Sequence, residues 1–466
     1  MTSSSPSPTN LQNHSGTLNR STTALLFAVI AISVTGIAAF GPLHQRMVPL
    51  QVLWGFGSVA WIFAVWRQVE LSTTWIVLGA ITLRFLALTG TPELSDDVYR
   101  YVWEGGLVTQ EINPYAQAPN SDQLSEFRER WPDIYSGMNN REVSAAYPPV
   151  TQWVHAAVTA AAGGPEQPSR ALIAMRIFYA CMDLLCLIPL ALLLRGSRNA
   201  RGSLVAWAWS PLIAIEFAGS GHFDSLGVLA LLSALAVASR ALSDSPIART
   251  KALGLLVVGA LSKLIPGLLI PFVARGRRQW LMLLAAAAVF ALAWLPFLLD
   301  AGPAVFAGLT EYGTRWEAGS LVFRHVEAPF AMWFERDGSR TDPRQLARLS
   351  IALVFGVIYV REWFRSPDLI RTAGVLIGSF LVLSPTLHPW YLAWIVPFVA
   401  LRPSRAWLFL IASAPLLYWP LAEWNSAGIW REPSWLWPVI SLPFFVLLGF
   451  DVYRARFELP ASDSST

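Results

Sequence analysis

Apolar runs of roughly membrane-spanning length recur along the whole chain and constrain its fold more than any other feature. A helix needs about 20 predominantly apolar residues to cross the hydrocarbon core of a bilayer. Only 14% of the residues are charged, against about 25% in soluble domains. The sequence therefore predicts an all-α polytopic membrane protein.

The apolar runs predict about 14 membrane segments, within a range of roughly 11 to 15. They form one transmembrane domain over 22–455, between disordered tails at 1–21 and 456–466. Arginine-rich short loops, such as RGSRNAR and RGRRQ, are expected to be cytoplasmic. That orientation places two long loops on the outer face, at about 91–147 and 300–345, and the first should carry juxtamembrane helices. The segment YPPVTQWVHAAVTAAAGG is expected not to span, because a crossing there would move RGSRNAR outside.

Two adjacent aspartates, Asp96 and Asp97, follow the third apolar run in the sequence LSDDVYRYVWEGG. Serine and acidic residues favour a helix N-terminus, so a structural cap would explain one aspartate. A second carboxyl group beside a like charge at the membrane surface is expected to have a raised pKa, which suits a general base. If the helix continues, Arg100 and Glu104 share a face with Asp97. The sequence around these residues does not decide whether Asp96 or Asp97 is the general base.

Polar residues also lie in the short connections predicted on the outer face. The sequence EFAGSGHFDS places Glu216, His222 and Asp224 between two apolar runs. A histidine and an aspartate two positions apart are a poor metal signature, so we expect these groups to bond one another or a hydroxyl-rich substrate. Tyr115 in NPYAQAP and Tyr147 in AAYPPV bracket the first outer loop and are expected to shape a cleft.

Charged residues inside apolar segments are the remaining signal. Lys263 and Arg84 each interrupt such a segment, at an insertion cost of about 2.5–3.5 kcal/mol that usually marks function. Snorkelling to the membrane surface is the structural alternative. With Arg315 and His388, Lys263 could hold an anionic group such as a lipid phosphate.

The sequences LSDDVYRYVWEGGLVTQEINPYAQAP, YPPV, GSGHFDS, SKLIPGLLIPF and HPWYLAWIVPF resemble the bacterial membrane glycosyltransferases of the GT-C fold. The nearest likeness is to polyprenyl-phosphate-mannose-dependent α-mannosyltransferases of actinobacterial lipoglycan synthesis. The order of the acidic pair, NPY and YPP is also similar to the catalytic subunit of GPI mannosyltransferase I. The resemblance covers about 73–400. Glu104 and Glu111 depart from the aspartate and glycine common in relatives.

The resemblance implies an inverting transferase that moves a hexose, expected to be mannose, from a polyprenyl-phosphate donor to a glycan or glycolipid. The active site would face outward from a bacterial plasma membrane. The base would be Asp96 or Asp97, with Asp96 ranked slightly higher, and Lys263 and His388 would hold the donor phosphate. Some GT-C enzymes use a divalent metal and others do not, so a Mg or Mn requirement stays open and no metal ligands are predicted. The substrate-binding residues predicted in full are Arg100, Glu104, Tyr115, Tyr147, His222, Asp224, Lys263, Arg315, His388 and Tyr391.

Two other functions compete with a transferase. A transporter or flippase of a lipid-linked sugar usually shows two related halves and sites near mid-membrane, and the sequence shows neither. A membrane scaffold would not need Asp96, Asp97, Lys263 and His388 all at the outer surface.

The formal net charge is only +4, and the basic loops indicate membrane orientation, so membrane lipids and not nucleic acid are the expected partners.

Overall fold

The computed structural model describes residues 18–67, 69–197, 199–240, 245–276, 278–337, 342–365 and 368–457. Most of both predicted tails lies outside these ranges. Helix α1 begins at Arg20 and the last helix ends at Phe457. The predicted tail boundaries therefore fall inside the terminal helices.

Every named element in these ranges is helical, which confirms the predicted all-α class. The α-helices, α1 to α23 in chain order, are Arg20–Ala39, Met47–Arg67, Thr73–Leu88, Asp97–Thr109, Ser125–Arg130, Pro132–Gly137, Pro149–Ala161, Pro168–Leu185, Leu187–Leu193, Ala200–Ala208, Pro211–Ile213, Asp224–Arg240, Pro246–Ser262, Ile270–Ala274, Gln279–Ala301, Ala307–Arg315, Phe323–Asp337, Pro343–Arg365, Leu369–Leu383, Val396–Leu401, Arg405–Ser413, Leu421–Ala427 and Leu436–Phe457. A π-helical turn spans Ala214–Gly219, and short 3₁₀ helices span Leu43–Gln45, Asp122–Leu124, Ile265–Leu269, Gly302–Phe306, Pro389–Trp394 and Ala414–Tyr418.

Six helical stretches of the described chain are long and apolar enough to cross a membrane: 20–39, 47–67, 168–193, 279–315, 405–427 and 436–456. Five shorter apolar helices accompany them. The protein is therefore a multi-pass membrane protein, and the number of crossings stays a prediction. Large apolar side chains such as Trp280, Leu299 and Phe364 are exposed, as expected of surfaces that face lipid.

Local sequence explains where several helices begin. Asn, Ser or Asp side chains accept hydrogen bonds from backbone N–H groups of the first helical turn, which have no partner within the helix. Such caps precede α1, α3, α13, α19 and α21, at Asn19, Ser72, Ser245, Asp368 and Ser404.

Helix α4, whose N-terminus carries the paired aspartates, lies directly against α7. A Cβ atom at Gly105 would come within 2.5 Å of the His155 backbone oxygen, so only glycine permits this close approach. The buried face of α7 is polar, and Gln152 donates a hydrogen bond of 2.7 Å to Glu104 on α4. The first predicted outer loop is therefore a packed helical unit, and α7 supports the helix that carries the aspartates.

A buried ion pair joins α3 to α8. The Arg84 guanidinium contacts both carboxylate oxygens of Asp183, at 2.7 and 2.9 Å, and also donates to the Ala208 carbonyl oxygen. Neither charged side chain reaches the surface, since their exposed fractions are 2% and 0%. The snorkelling alternative for Arg84 is therefore wrong, because its charge is neutralised inside the helix assembly.

Candidate active site

The two aspartates occupy the N-terminus of α4 but have different surroundings. Asp96 stands at the N-cap position, yet its side chain makes no capping hydrogen bond. Its Oδ1 atom instead accepts a 2.6 Å hydrogen bond from the Asn139 amide. The Asp97 Oδ2 atom lies 3.3 Å from the Tyr101 hydroxyl, one turn along the helix. Capping therefore does not explain either carboxylate.

Both aspartates are harder to ionise than an ordinary carboxyl group. Burial, reinforced by the charge of Asp97, raises the pKa of Asp96 to about 7. Burial also raises the pKa of Asp97, while the charges of Arg100 and Lys263 oppose that rise. The Asp97 side chain keeps 23% of its surface exposed, so it can still be reached from outside.

An imidazole and a second acid lie next to Asp97. His222 Nδ1 is 3.6 Å from Asp97 Oδ2, and His222 Nε2 is 3.5 Å from Glu216 Oε2. The Tyr418 hydroxyl lies 2.9 Å from each Glu216 carboxylate oxygen. Burial lowers the pKa of His222 well below its ordinary value, so its ring is neutral in this state.

The backbone that presents His222 depends on a glycine. Gly221 has a φ of +82°, and a Cβ atom there would meet Arg176 Cγ at 2.9 Å and Val98 Cγ2 at 3.3 Å. Arg176 cannot easily give way, because it is buried and donates to the Ala218 and Ala87 carbonyl oxygens. Both the backbone conformation and the space therefore require glycine at 221.

Lys263 ends α13 and meets Asp224, the first residue of α12. The Lys263 Nζ to Asp224 Oδ1 distance is 2.5 Å, and the Trp394 indole donates to the same oxygen at 2.6 Å. The ammonium group lies 4.8 Å from the Phe223 ring centroid and 4.5 Å from that of Tyr391. Lys263 is 16% exposed, so it belongs to a structured polar site and does not snorkel.

Trp390 lies between two histidines. Its ring stacks on His222 at a centroid distance of 3.9 Å and on His388 at 4.4 Å. Burial, with a smaller contribution from the charge of Lys263, lowers the pKa of His388 to about 3. The predicted cationic role of His388 does not fit this environment, because its imidazole is neutral at physiological pH. Its predicted place in substrate binding is not tested and stays a prediction.

The second predicted outer loop reaches this group through α16. The Tyr312 hydroxyl is hydrogen-bonded to the Tyr391 hydroxyl. A single parallel β-bridge between Ala318 and Thr386 holds the following segment beside the chain that leads to Pro389. Arg315, three residues after Tyr312, is 75% exposed and pairs with Glu311 at 2.9 Å. No described contact joins Arg315 to the aspartates, so its predicted role stays a prediction.

Arg100 and Glu104 are buried and bonded to the protein itself. Arg100 donates to the carbonyl oxygens of Asn140 at 2.6 Å and Val143 at 3.0 Å. It also lies 3.4 Å from Glu104, which accepts the Gln152 hydrogen bond. These contacts hold the end of the first loop over α4. Both residues therefore support this loop through contacts within the protein. Their predicted contact with substrate stays a prediction.

Tyr115 and Tyr147 are joined to each other. The Tyr115 hydroxyl donates to the Tyr147 carbonyl oxygen, and the Tyr115 ring packs on Phe297 of α15. The Tyr147 ring lies 5.8 Å from Tyr101 and 4.5 Å from Phe223, between ring centroids. Tyr147 therefore borders the candidate active site, whereas Tyr115 anchors the loop to a membrane helix.

Sequence reasoning missed several members of this site. Trp390, Trp394 and Tyr418 lie in apolar segments, where aromatic residues are common at membrane interfaces and give no separate signal. Tyr312 lies in the polar second outer loop, where a single tyrosine carries no mark of its partner. Glu216 was noted from the sequence beside His222 and Asp224, but it was not included among the predicted substrate-binding residues. The candidate active site consists of Asp96, Asp97, Glu216, His222, Asp224, Lys263, Tyr312, His388, Trp390, Tyr391, Trp394 and Tyr418.

The described residues contain no group of three or more His, Cys, Asp or Glu side chains placed to hold a metal ion. The side chains present therefore do not fit an ion bound by protein groups alone. The question of a Mg or Mn requirement, which the sequence left open, is not decided by this arrangement.

Comparison with known proteins places the chain among mannosyltransferases. The sequence model described as "Alpha-(1->6)-mannopyranosyltransferase, N-terminal domain" matches residues 19–277, more than half of the chain. The one described as "MptB C-terminal domain" matches residues 329–418. The chain is 24% identical to alpha-(1->6)-mannopyranosyltransferase A of Mycobacterium tuberculosis (strain ATCC 25618 / H37Rv), over 88% of this chain and 82% of that protein. No solved structure matches. The chain thus belongs to the alpha-(1->6)-mannopyranosyltransferase family, and it is a multi-pass membrane mannosyltransferase.

Proposed function

We propose that the protein transfers mannose, with inversion, from a polyprenyl-phosphate donor to a hydroxyl group of a glycan or glycolipid. The reaction takes place at the extracytoplasmic face of a bacterial plasma membrane. The observation that carries this proposal is that one carboxylate, Asp97, and one ammonium group, Lys263, belong to the same partly exposed site. Displacement of a sugar from a lipid phosphate needs a base for the acceptor and a cation for the leaving group.

Asp97 is the proposed base, in preference to Asp96. Asp97 lies next to His222 and Tyr101 and within the field of the Lys263 charge, whereas the Asp96 carboxylate is bonded to Asn139. The acceptor hydroxyl loses its proton to Asp97 as its oxygen attacks the anomeric carbon. The bond from that carbon to the phosphate oxygen breaks, and its electron pair leaves with the polyprenyl phosphate.

Lys263 is proposed to bind the donor phosphate. An ammonium group has three N–H donors, and the contact with Asp224 occupies one of them. The phosphate gains negative charge as it leaves, so a fixed cation stabilises the transition state more than the bound donor. The Tyr391 ring lies 4.5 Å from Lys263 Nζ, and Tyr391 and neutral His388 are proposed to contribute hydrogen bonds to the donor without adding charge.

The proposal predicts which donor anomer reacts. Inversion yields an alpha-linked product only from a beta-linked donor. We expect purified protein in lipid nanodiscs to use polyprenyl β-phosphomannose and to turn over the α-anomer about 100-fold more slowly or worse. Mass spectrometry of the glycan and of released polyprenyl phosphate measures both products. Equal use of the two anomers would contradict inversion, and movement of the donor across vesicles without a new glycosidic bond would favour a transporter.

The Lys263 assignment is tested with the pair Lys263→Gln and Asp224→Asn made together. Removing both charges avoids leaving the buried Asp224 carboxylate without its counter-ion. Loss of a charged hydrogen bond of about 1.5–3 kcal/mol predicts a kcat/KM for the donor lowered by roughly 10- to 150-fold. The control is Arg130→Gln, which removes a cation from an exposed ion pair of the first predicted outer loop and should leave kcat/KM unchanged. A wild-type kcat/KM in the double variant would refute the phosphate role.

A further inference from the structure

We propose that His222 is a positioning residue that passes the proton captured by Asp97 to Glu216, where it is held until the product leaves. This inference rests on the proposed function of Asp97 as the base. It gives roles to His222 and Glu216, two buried groups that take no part in the attack on the anomeric carbon itself.

Asp97, His222 and Glu216 form a continuous line of titratable groups. His222 presents one ring nitrogen to each acid, 3.6 Å from Asp97 and 3.5 Å from Glu216. Neither ring nitrogen has a hydrogen-bond partner by strict geometry, and the ring is fully buried. Such contacts are often long before substrate is bound and shorten in the reactive complex. An imidazole between two carboxylates can accept a proton on one side while releasing one on the other.

Two features fix this line in place. Trp390 stacks on the His222 ring at 3.9 Å with an interplanar angle of 17°, which holds the ring plane toward both acids. Glu216 lies in the π-helical turn Ala214–Gly219, a distortion often found at functional sites. Tyr418 donates to the Glu216 carboxylate from the far side. The line therefore ends on a group that lies out of contact with solvent.

The proton transfers balance without any added reagent. Asp97 receives the acceptor proton and gives it to Nδ1 of neutral His222. The proton on Nε2 passes to the ionised Glu216 carboxylate, so His222 ends neutral and Glu216 is protonated. Burial raises the pKa of Glu216 to about 8, so Glu216 holds the proton firmly and the path operates from the fraction of protein in which Glu216 is ionised. Asp97 is then a carboxylate again and cannot return the proton to the new glycosidic oxygen. After the product departs, the transfers run backwards and the proton leaves through the exposed edge of Asp97.

The test measures kcat, KM and pH dependence for His222→Gln and Glu216→Gln in the full-length protein. Each replacement keeps hydrogen-bonding capacity but cannot carry a proton. We expect kcat to fall about 10- to 100-fold in each, donor KM to stay unchanged, and the double variant to lose no more than either single variant. The acidic limb of the kcat profile should also move in Glu216→Gln, because the raised pKa of Glu216, about 8, then no longer limits turnover at low pH. The other titratable and charged groups that face this line are Asp97, Arg100, Tyr101, Asp224, Lys263, His388 and Tyr418.

His155→Phe is the matched control. His155 is also fully buried, stacks on Tyr101 at 4.5 Å and has no hydrogen-bond partner at either ring nitrogen. It is not paired with any described carboxylate, so kcat and its pH profile should stay at wild-type values. The unfolding temperature of every variant shows whether a lower kcat reflects a loss of folded protein. If His222→Gln does not fold, the isosteric Glu216→Gln still tests the proton path.

Asp97→Asn in the same assay separates the two proposals. If Asp97→Asn is inactive while His222→Gln and Glu216→Gln keep wild-type kcat and pH profile, the proton path is wrong and the base assignment stands. Losses that add in the double variant would also overturn the path, because they indicate independent structural effects. If Asp97→Asn is fully active, the proposed base itself is wrong.

Discussion

Asp97→Asn is expected to lower kcat by about 10²- to 10⁴-fold, the range for removal of a positioned general base. The asparagine keeps the size and the hydrogen bond with Tyr101 but cannot accept the acceptor proton. Donor KM should change little, because the phosphate is assigned to Lys263. Release of polyprenyl phosphate in the presence of acceptor measures turnover, and binding of the unreactive donor confirms that the variant is folded.

Comparison with Asp96→Asn decides which of the two adjacent aspartates is the base. Asp96 has the Asn139 hydrogen bond and a pKa near 7, so its loss should alter loop position and reduce kcat less. Asp133→Asn, an exposed acid in the same loop, is the neutral control. An inactive Asp96→Asn beside a fully active Asp97→Asn would move the base to Asp96.

The pH dependence follows from the direction of the pKa shift. A base must be deprotonated, and a raised pKa keeps the carboxyl group protonated to a higher pH than usual. Turnover should therefore fall as the pH is lowered, over a range above that of an ordinary aspartate near pH 3.9. A flat kcat profile down to the ordinary range would contradict a buried aspartate base.

Arg84→Met should produce the largest loss of stability among single exchanges away from the site. It leaves the Asp183 carboxylate buried without a counter-ion, which costs about 3–5 kcal/mol in comparable buried pairs. It also removes donors from the Asp183 oxygens and the Ala208 carbonyl. A lower unfolding temperature in detergent, with reduced yield of folded protein, is the expected result.

The double exchange Arg84→Met with Asp183→Leu tests the cause. Removing both charges should recover most of the lost stability, since apolar groups of similar volume can replace a buried pair. The exposed pair of Arg130 and Glu166, with side chains 44% and 37% accessible, is the matched control. Arg130→Gln should cost about 1 kcal/mol or less. An Arg84→Met protein as stable as wild type would show that the ion pair does not hold α3 to α8.

Sequence patterns predicted the class of fold well and the site in part. Apolar run length identifies membrane helices without reference to their neighbours, so the all-α class followed directly. The acidic pair was found because two acids at one helix start exceed what capping requires. Asp224 and Lys263 were each predicted, but their contact was not, because 39 residues separate them and no local rule joins them.

Other parts of the site were beyond local reasoning. Glu216 and Tyr418 are 202 residues apart, and a tyrosine near a membrane interface carries no mark of its partner. His388 was predicted to hold the donor phosphate as a cation beside Lys263, yet burial lowers the pKa of its imidazole to about 3. Charge states and long-range pairings depend on how the helices assemble, which residue order alone does not specify.

The glycine at position 221 can be used to decide which related chains of unknown activity share this active site. Since the backbone there turns through a left-handed conformation into space occupied by Arg176 and Val98, a natural variant carrying any side chain at that point would have to shift the backbone that presents His222. Screening environmental genomes for the tetrapeptide GSGH, aligned after an acidic pair, should enrich for enzymes that share this chemistry. Chains that keep the aspartates but replace the glycine are candidates for a diverged or lost activity.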